Sequence, residues 1–304
     1  MKKQNYLIHV TGATCSGKTS LAIVLGEFFK TEIISFDSRQ FYKKMNIGTS
    51  VPNKKELKKC KHHFIQHKNI TDNYNIGDYR KDTLELLKIL FKKNNFAILV
   101  GGSGLYADSV IYGLDEFPNV NNEIKKEVRS VYLKQGISKI RELLKKNDPE
   151  YFKKVDLNNP QRLIRALEIC LSSNSNYSFF IGKKKPPDFF KTISVIKFME
   201  RDRLYEKIND RVDKMINQGL ENEVKSLIPY SKLNSLQTVG YKEWFGYWNK
   251  KYSYEKTVEL IKRNTRRYAK RQMTWNKKYI DAIVYSDDMN IKQLLRLIKK
   301  KTIG

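Results

Sequence analysis

Gly12-Ala13-Thr14-Cys15-Ser16-Gly17-Lys18-Thr19 is the stretch whose residue types and spacing most plainly carry chemistry. It has the form G-x-x-x-x-G-K-T. Backbone N–H groups in such a loop converge on an anion, and a helix opening behind it adds its positive end. Lys18 supplies a point charge to phosphate oxygens, and the Thr19 hydroxyl is placed to hold Mg²⁺. The chemistry is the binding of a di- or triphosphate. To position it, the chain needs a strand before the loop and a helix after it. Tyr6 to Val10 is a short apolar run, and Leu21, Ala22 and Leu25 follow at helical spacing.

A carboxylate stands where the next strand should end. Glu32 to Phe36 reads as that strand, closed by Asp37-Ser38-Arg39-Gln40. In an open parallel sheet the carboxyl ends of strands line the ligand crevice, so Asp37 faces either the ligand or its own turn as a cap. Phe96 to Val100 reads as a buried strand running into Gly101-Gly102-Ser103-Gly104. A hydrolysing ATPase of this type ends such a strand in an acid that holds Mg²⁺. Glycines here suggest instead that backbone and a hydroxyl approach a ligand, which argues against an ATP motor.

The formal charge of +27, from 59 Lys+Arg against 32 Asp+Glu in 304 residues, points to a polyanion, nucleic acid before an acidic membrane surface. Compositional bias is the competing reading, and only clustering of charge on structure separates the two. Glu255 to Trp275 supplies such clustering. It is helical, with Lys262, Arg266 and Lys270 in one four-residue ladder and Arg263, Arg267 and Arg271 in the next, a stripe of six cations flanked by Tyr268 and Trp275. Cys15, Cys60 and Cys170 are odd in number and far apart, which suggests reduced thiols in a cytoplasm. Cys60-Lys61-His62-His63 lacks a second ligand pair at zinc spacing, so packing or phosphate contact is expected of it. No stretch approaches a membrane span, and Gly12, Ser16 and Lys18 interrupt the first apolar run too soon for a signal peptide.

The remaining elements are coarser. Asp78 to Leu90 has helical spacing. Ile124, Val128, Val131 and Tyr132 mark another helix, and Ile137, Ile140, Leu143 and Leu144 the next. Asn159-Pro160 opens a third, with Gln161, Arg162 and Arg165 near its start. Thr192 to Met199 resumes a strand, and a long amphipathic helix runs from Arg203 to about Gln218, closed by Gly219. The expected fold is α/β: a P-loop-type parallel sheet flanked by helices, formed by residues 1–114 and 192–304, with a helical insertion domain over 115–191.

Taken together the chain resembles the tRNA dimethylallyltransferases, the isopentenyl-diphosphate:tRNA transferase family. The segments that carry the resemblance are GATCSGKT, ISFDSRQFYKKMNIGTSVP, HHF, YNIGDYR, LVGGSGLY, NPQRLIRALEI, RDRLYEKINDRVDKMINQGLENEV, TVGYKE and TRRYAKRQMTW, in order from residue 12 to 275. The resemblance implies transfer of a dimethylallyl group from its diphosphate to N6 of the tRNA adenine immediately 3′ of the anticodon. It implies that Thr14 to Thr19 hold the diphosphate and that Asp37 is the general base. It places Ser38, Arg39 and Gln40 in a tRNA-contacting loop and Ser103 near the reacting adenine. Gln161, Arg162, Leu163, Ile164 and Arg165 become a further tRNA contact. Ser103 stands where Thr is usual, Phe41 where Val is common, and Asp156-Leu157 where His-Pro is usual; no C₂H₂ element follows Trp275, as in bacterial members.

The chemistry agrees. Diphosphate is the leaving group, so the phosphate loop and Mg²⁺ would stabilise charge on the departing oxygen. A carboxylate hydrogen-bonded to an exocyclic amine raises its reactivity. An adenine in a stacked anticodon loop must be extruded first. Dimethylallyl diphosphate and the tRNA anticodon stem-loop are thus the expected partners of a monomeric enzyme with no membrane contact. The alternatives are a prenyltransferase acting on free AMP, a P-loop kinase, and a nonenzymatic RNA-binding module.

Overall fold

The structure is a computed structural model and describes residues 4–303. Six strands form one parallel sheet: β1 (Tyr6–Gly12), β2 (Ile33–Ser35), β3 (His62–His63), β4 (Phe96–Val100), β5 (Lys191–Lys197) and β6 (Ile283–Tyr285), in the order β3-β2-β4-β1-β5-β6. β1 lies between β4 and β5 and is buried along its whole length. Alternation along it feeds two cores. Leu7 joins Ala97, Leu99, Phe36, Phe41 and Trp244 on one face of the sheet, whereas Ile8 and Val10 join Leu21, Leu25, Ile98 and Val195 on the other. Continuous apolar strands with helices on both faces are the signature of a parallel sheet.

The helices are α1 (Lys18–Phe29), α2 (Lys54–Lys59), α3 (Ile76–Lys93), α4 (Gly104–Ile111), α5 (Asn122–Asn147), α6 (Pro149–Phe152), α7 (Pro160–Ser173), α8 (Arg201–Asn217), α9 (Leu220–Lys225), α10 (Lys242–Trp248), α11 (Tyr254–Asn276) and α12 (Ile291–Ile303). Asn159 caps α7 as its position before Pro160 predicts, its side chain accepting from the Arg162 N–H at 3.2 Å. Two helices were expected over 122–147. They are joined end to end, and Gly136, at φ 72°, breaks the run where the two apolar patterns meet. The strand expected over Glu32 to Phe36 is shorter, Ile33–Ser35; the Phe36 N–H still donates to the Val100 carbonyl at 2.8 Å, and the Gln40 N–H closes a turn on the Asp37 carbonyl directly after it. The strand expected over Thr192 to Met199 is Lys191–Lys197.

The chain divides into two compact units, one made of the residues up to Ile111 and from Pro187 onward, the other of Tyr112–Pro186. The first holds the sheet. The second has its own core, in which Val128, Ile140 and Leu144 of α5 pack on Leu163, Ala166, Leu167 and Cys170 of α7. The two passages that bound the second unit run side by side. A Cβ on Gly113 would strike the backbone of Lys185, and the Lys183 N–H donates to Asp115 Oδ1 at 2.8 Å.

Candidate functional site

The glycine-flanked loop joins β1 to α1 at the carboxyl end of the sheet, and its surroundings decide which of its groups are free. Lys18 Nζ donates to the Ala13 carbonyl at 2.6 Å, curled over its own loop. Burial lowers its ammonium to about 8, with the Asp37 carboxylate opposing the shift. Thr14 is already engaged twice. Its N–H donates to Gln272 Oε1 at 2.7 Å, and its hydroxyl accepts from Arg211 Nη1 at 2.9 Å. The amides left for an anion are therefore those after Thr14, from Cys15, Gly17, Lys18 and Thr19, while the Ser16 N–H closes a turn on Ala13. Ser16 is buried and its hydroxyl has no partner.

Asp37 caps its own turn through one oxygen and leaves the other for a neighbour. Oδ1 accepts from the Arg39 N–H at 3.1 Å, which caps the turn, and Oδ2 points toward Gly102. Gly101 permits this approach, because a Cβ there would meet the Phe36 carbonyl carbon and the Asp37 nitrogen at 2.8 Å. The glycines after β4 were expected to admit a ligand. Gly102 makes room for the Gln272 amide and Gly104 for the Trp275 indole, and both glycines also line the larger of the two cavities that meet here. Ser103 Oγ accepts from the Ser38 N–H at 3.0 Å and pairs with Ser38 Oγ at 3.0 Å, so the hydroxyl is tied to the Asp37 turn.

Two cavities meet at this turn. One, of about 370 Å³, is lined by Thr14, Cys15, Gly17, Lys18 and Thr19 of the phosphate loop together with Gln40 and Val100. The other, of about 510 Å³, is lined by Ser103, Tyr106, Thr238, Tyr268, Arg271 and Trp275. Thr14, Asp37, Thr49 and Arg211 belong to the walls of both. Burial, reinforced by the Asp37 charge, holds the Tyr268 hydroxyl well above the ordinary phenol range, so it stays a neutral donor to Gly102 O at 3.2 Å.

Several expected nucleic-acid contacts are otherwise occupied. Arg39 Nη1 donates to the carbonyls of Asn234 and Ser235, at 2.9 and 3.0 Å, and Gln40 Nε2 braces Thr49 and Ser50. The six-cation stripe is split. Lys262 pairs with Asp213 at 2.7 Å and Arg266 donates to Asn209 at 2.6 Å, both on α8, and Arg263 is half-buried. Only Arg267, Lys270 and Arg271 are exposed, and Arg271 stands over the Tyr268 ring in the larger cavity. Two adjacent ladders sweep about half of a helix's circumference over ten residues, so one flank must meet a neighbour. In the second unit Gln161, Arg162 and Arg165 are exposed and Ile164 is half-buried, whereas the Leu163 side chain is fully buried and serves the core. The Cys60 region packs: Cys60 Sγ donates to the Thr31 carbonyl at 3.2 Å, and His63 Nε2 pairs with Glu32 at 2.5 Å.

Sequence reasoning missed Arg211, Gln272 and Asn276. A signal was there. Leu204, Ile208 and Met215 define the buried face of α8, and Arg211 occupies the same face. Gln272 and Asn276 stand likewise on the buried face of α11, with Ile261 and Ala269. A polar side chain on an apolar helix face marks a group with a partner waiting.

A magnesium ion fits this donor set in a limited way. The Thr19 hydroxyl and the Asp37 carboxylate line the same cavity, and no cluster of three His, Cys, Asp or Glu occurs among the described residues. Two hard oxygen donors suit an ion that keeps several waters and takes the rest of its shell from diphosphate oxygens.

The parallel sheet, with a phosphate loop at the end of its first strand and helices on both faces, places the molecule among P-loop α/β proteins. Residues 40–279 match the family described as IPP transferase. Over 297 residues the chain is 47% identical to the tRNA dimethylallyltransferase of Christiangramia forsetii, covering 98% of each. It is 46% identical to that of Flavobacterium johnsoniae, over 94% of this chain and 95% of the relative. The solved full-length tRNA isopentenylpyrophosphate transferase of Bacillus halodurans superposes with a TM-score of 0.70 at 30% identity, covering 99% and 96% of the two chains. A solved eukaryotic dimethylallyltransferase acting on tRNA shares the fold, with a TM-score of 0.84 at 24% identity over 99% and 80%. The chain belongs to the IPP transferase family.

Proposed function

We propose that the chain transfers the dimethylallyl group of dimethylallyl diphosphate to N6 of the adenine immediately 3′ of the anticodon in tRNA. The observation that carries this reading is Asp37 in the wall common to a phosphate-loop cavity and a larger cavity edged by Arg271. One chamber suits the donor's diphosphate, the other an extruded base, and they join at a carboxylate.

In this reading the diphosphate lies on the amides following Thr14, on Lys18 and on Arg211. The N6–C1 bond forms as the C1–O bond to diphosphate breaks, and the proton leaving N6 passes to Asp37. Lys18, Arg211 and the α1 N-terminus receive the negative charge that develops on the departing oxygen. Mg²⁺, held by Thr19 with the diphosphate, would add further charge neutralisation at that oxygen. Ser103 and Ser38 brace the Asp37 turn against the acceptor side. Exposed Arg267, Lys270 and Arg271 neutralise RNA phosphates, as do Arg162 and Arg165 of the insertion, where Gln161 adds a neutral hydrogen-bond donor. A monomer is the working unit in this reading, and free Cys15, Cys60 and Cys170 agree with a cytoplasmic setting.

The test is mass spectrometry of nucleosides from tRNA incubated with the protein and dimethylallyl diphosphate. The expected product is adenosine carrying one additional C5H8 unit, confined to the position after the anticodon. Preference for free AMP, or transfer of a labelled γ-phosphate from ATP, would overturn the proposal.

A further inference from the structure

We infer that Gln272 is a positioning residue for the transfer reaction: its one amide sets the donor loop and the Ser103 turn in fixed relation to each other. Oε1 accepts from the Thr14 N–H at 2.7 Å, and Nε2 donates to the Gly102 carbonyl at 2.9 Å. The side chain is buried, and only the absence of a Cβ at Gly102 lets the amide reach that carbonyl. Thr14 opens the anion-binding part of the loop, and Gly102 precedes Ser103, whose hydroxyl is bonded to Ser38 beside Asp37. A single group therefore spans the leaving-group side and the proton-accepting side of the proposed reaction.

Gln272 does not act alone. Tyr268, one turn earlier, donates to the same Gly102 carbonyl, and Asn276, one turn later, accepts from the Thr11 hydroxyl at 3.0 Å. These three side chains face inward at four-residue spacing, while Arg267, Lys270 and Arg271 are exposed on the same helix. The helix that offers cations to a polyanion is thus bonded, on its other side, to the phosphate loop. Any apolar residue at 272 would leave the Thr14 N–H without its partner and the Gly102 carbonyl with Tyr268 alone. A misplacement of reacting groups on the order of 1 Å is enough to cost about 10²-fold in rate.

The inference rests on the transfer reading given above, and the chemistry of the amide provides a test that simple packing would not answer. Gln272→Met keeps the volume and removes both bonds. Its kcat should fall about 10²-fold at every pH, with the KM for tRNA within about threefold of the wild type. Gln272→Glu behaves differently. A carboxylate only accepts, so it repels the Gly102 carbonyl, whereas a protonated carboxyl accepts through one oxygen and donates through the other, as the amide does. Burial raises the pKa of such a carboxyl. The kcat of Gln272→Glu relative to wild type at the same pH should rise at least about tenfold as pH falls from about 8.5 to about 6. A flat ratio, or Gln272→Met turning over within about threefold of wild type, overturns the assignment. The wild-type protein supplies a measurement that needs no variant: the Thr14 amide should exchange with solvent far more slowly than the Gly17 amide of the same loop. Equal exchange overturns it as well. If the wild type does not prenylate tRNA, the functional reading falls, and amide exchange still decides the hydrogen bond.

Discussion

At the scale of single residues the site turns on two charges, Asp37 and Lys18. Asp37→Asn keeps the side-chain size and the cap on the Arg39 N–H, and loses basicity. General-base assistance is worth roughly 10² to 10⁴, so kcat should fall by that order with little change in either KM. A Mg²⁺ series distinguishes the competing role: recovery at high Mg²⁺ would make Asp37 a metal ligand, and a flat low rate supports the base. Lys18 makes a pH prediction. Burial places its free-enzyme value at about 8, and a diphosphate favours the charged form. Below that pH the ammonium is present. Above it, donor binding must take up a proton, and affinity should weaken by about tenfold per pH unit. Calorimetry in two buffers of different ionisation enthalpy checks this, and affinity unchanged up to about pH 9.5 would refute it. These two residues were legible because the loop and the strand-end carboxylate are local patterns. Arg211 and Gln272 betray themselves only as polar groups on apolar helix faces, and their partner was not legible, because Thr14 lies 197 and 258 positions away.

At the scale of elements, α11 corrects an idealised view of charge. Spacing alone displays six cations, but the folded helix gives Lys262 and Arg266 to α8 and leaves Arg267, Lys270 and Arg271 exposed. Reversing those three to Glu should reduce the logarithmic salt slope of tRNA binding by roughly 0.7 to 0.9 for each lost phosphate contact. Neutralising Lys262 and Arg266 instead should leave the slope nearly unchanged. The opposite ranking would show that RNA binding displaces the α8 pairs. Long periodic helices such as α3, α8 and α11 were readable to within a few residues. β3 and β6, with two and three residues, carry too little periodicity to announce themselves, and they form because neighbouring strands supply their hydrogen bonds.

At the scale of the whole molecule, the second unit owns its core, and its bounding passages touch at Gly113 and Lys185. Replacing the residues between them with a short Gly/Ser linker should leave a core that melts cooperatively and is stabilised by dimethylallyl diphosphate, while tRNA affinity drops. Loss of cooperative melting would show that the sheet depends on the insertion. The strand order has a further consequence for how the chain is made on the ribosome. β1 is synthesised before the insertion, yet its neighbour β5 and the Thr14 brace on α11 are synthesised only after the insertion is complete. Domains generally fold as units during synthesis. The second unit is thus the first able to finish, and the phosphate loop, translated before it, waits for α11, translated after it, before it is held in shape.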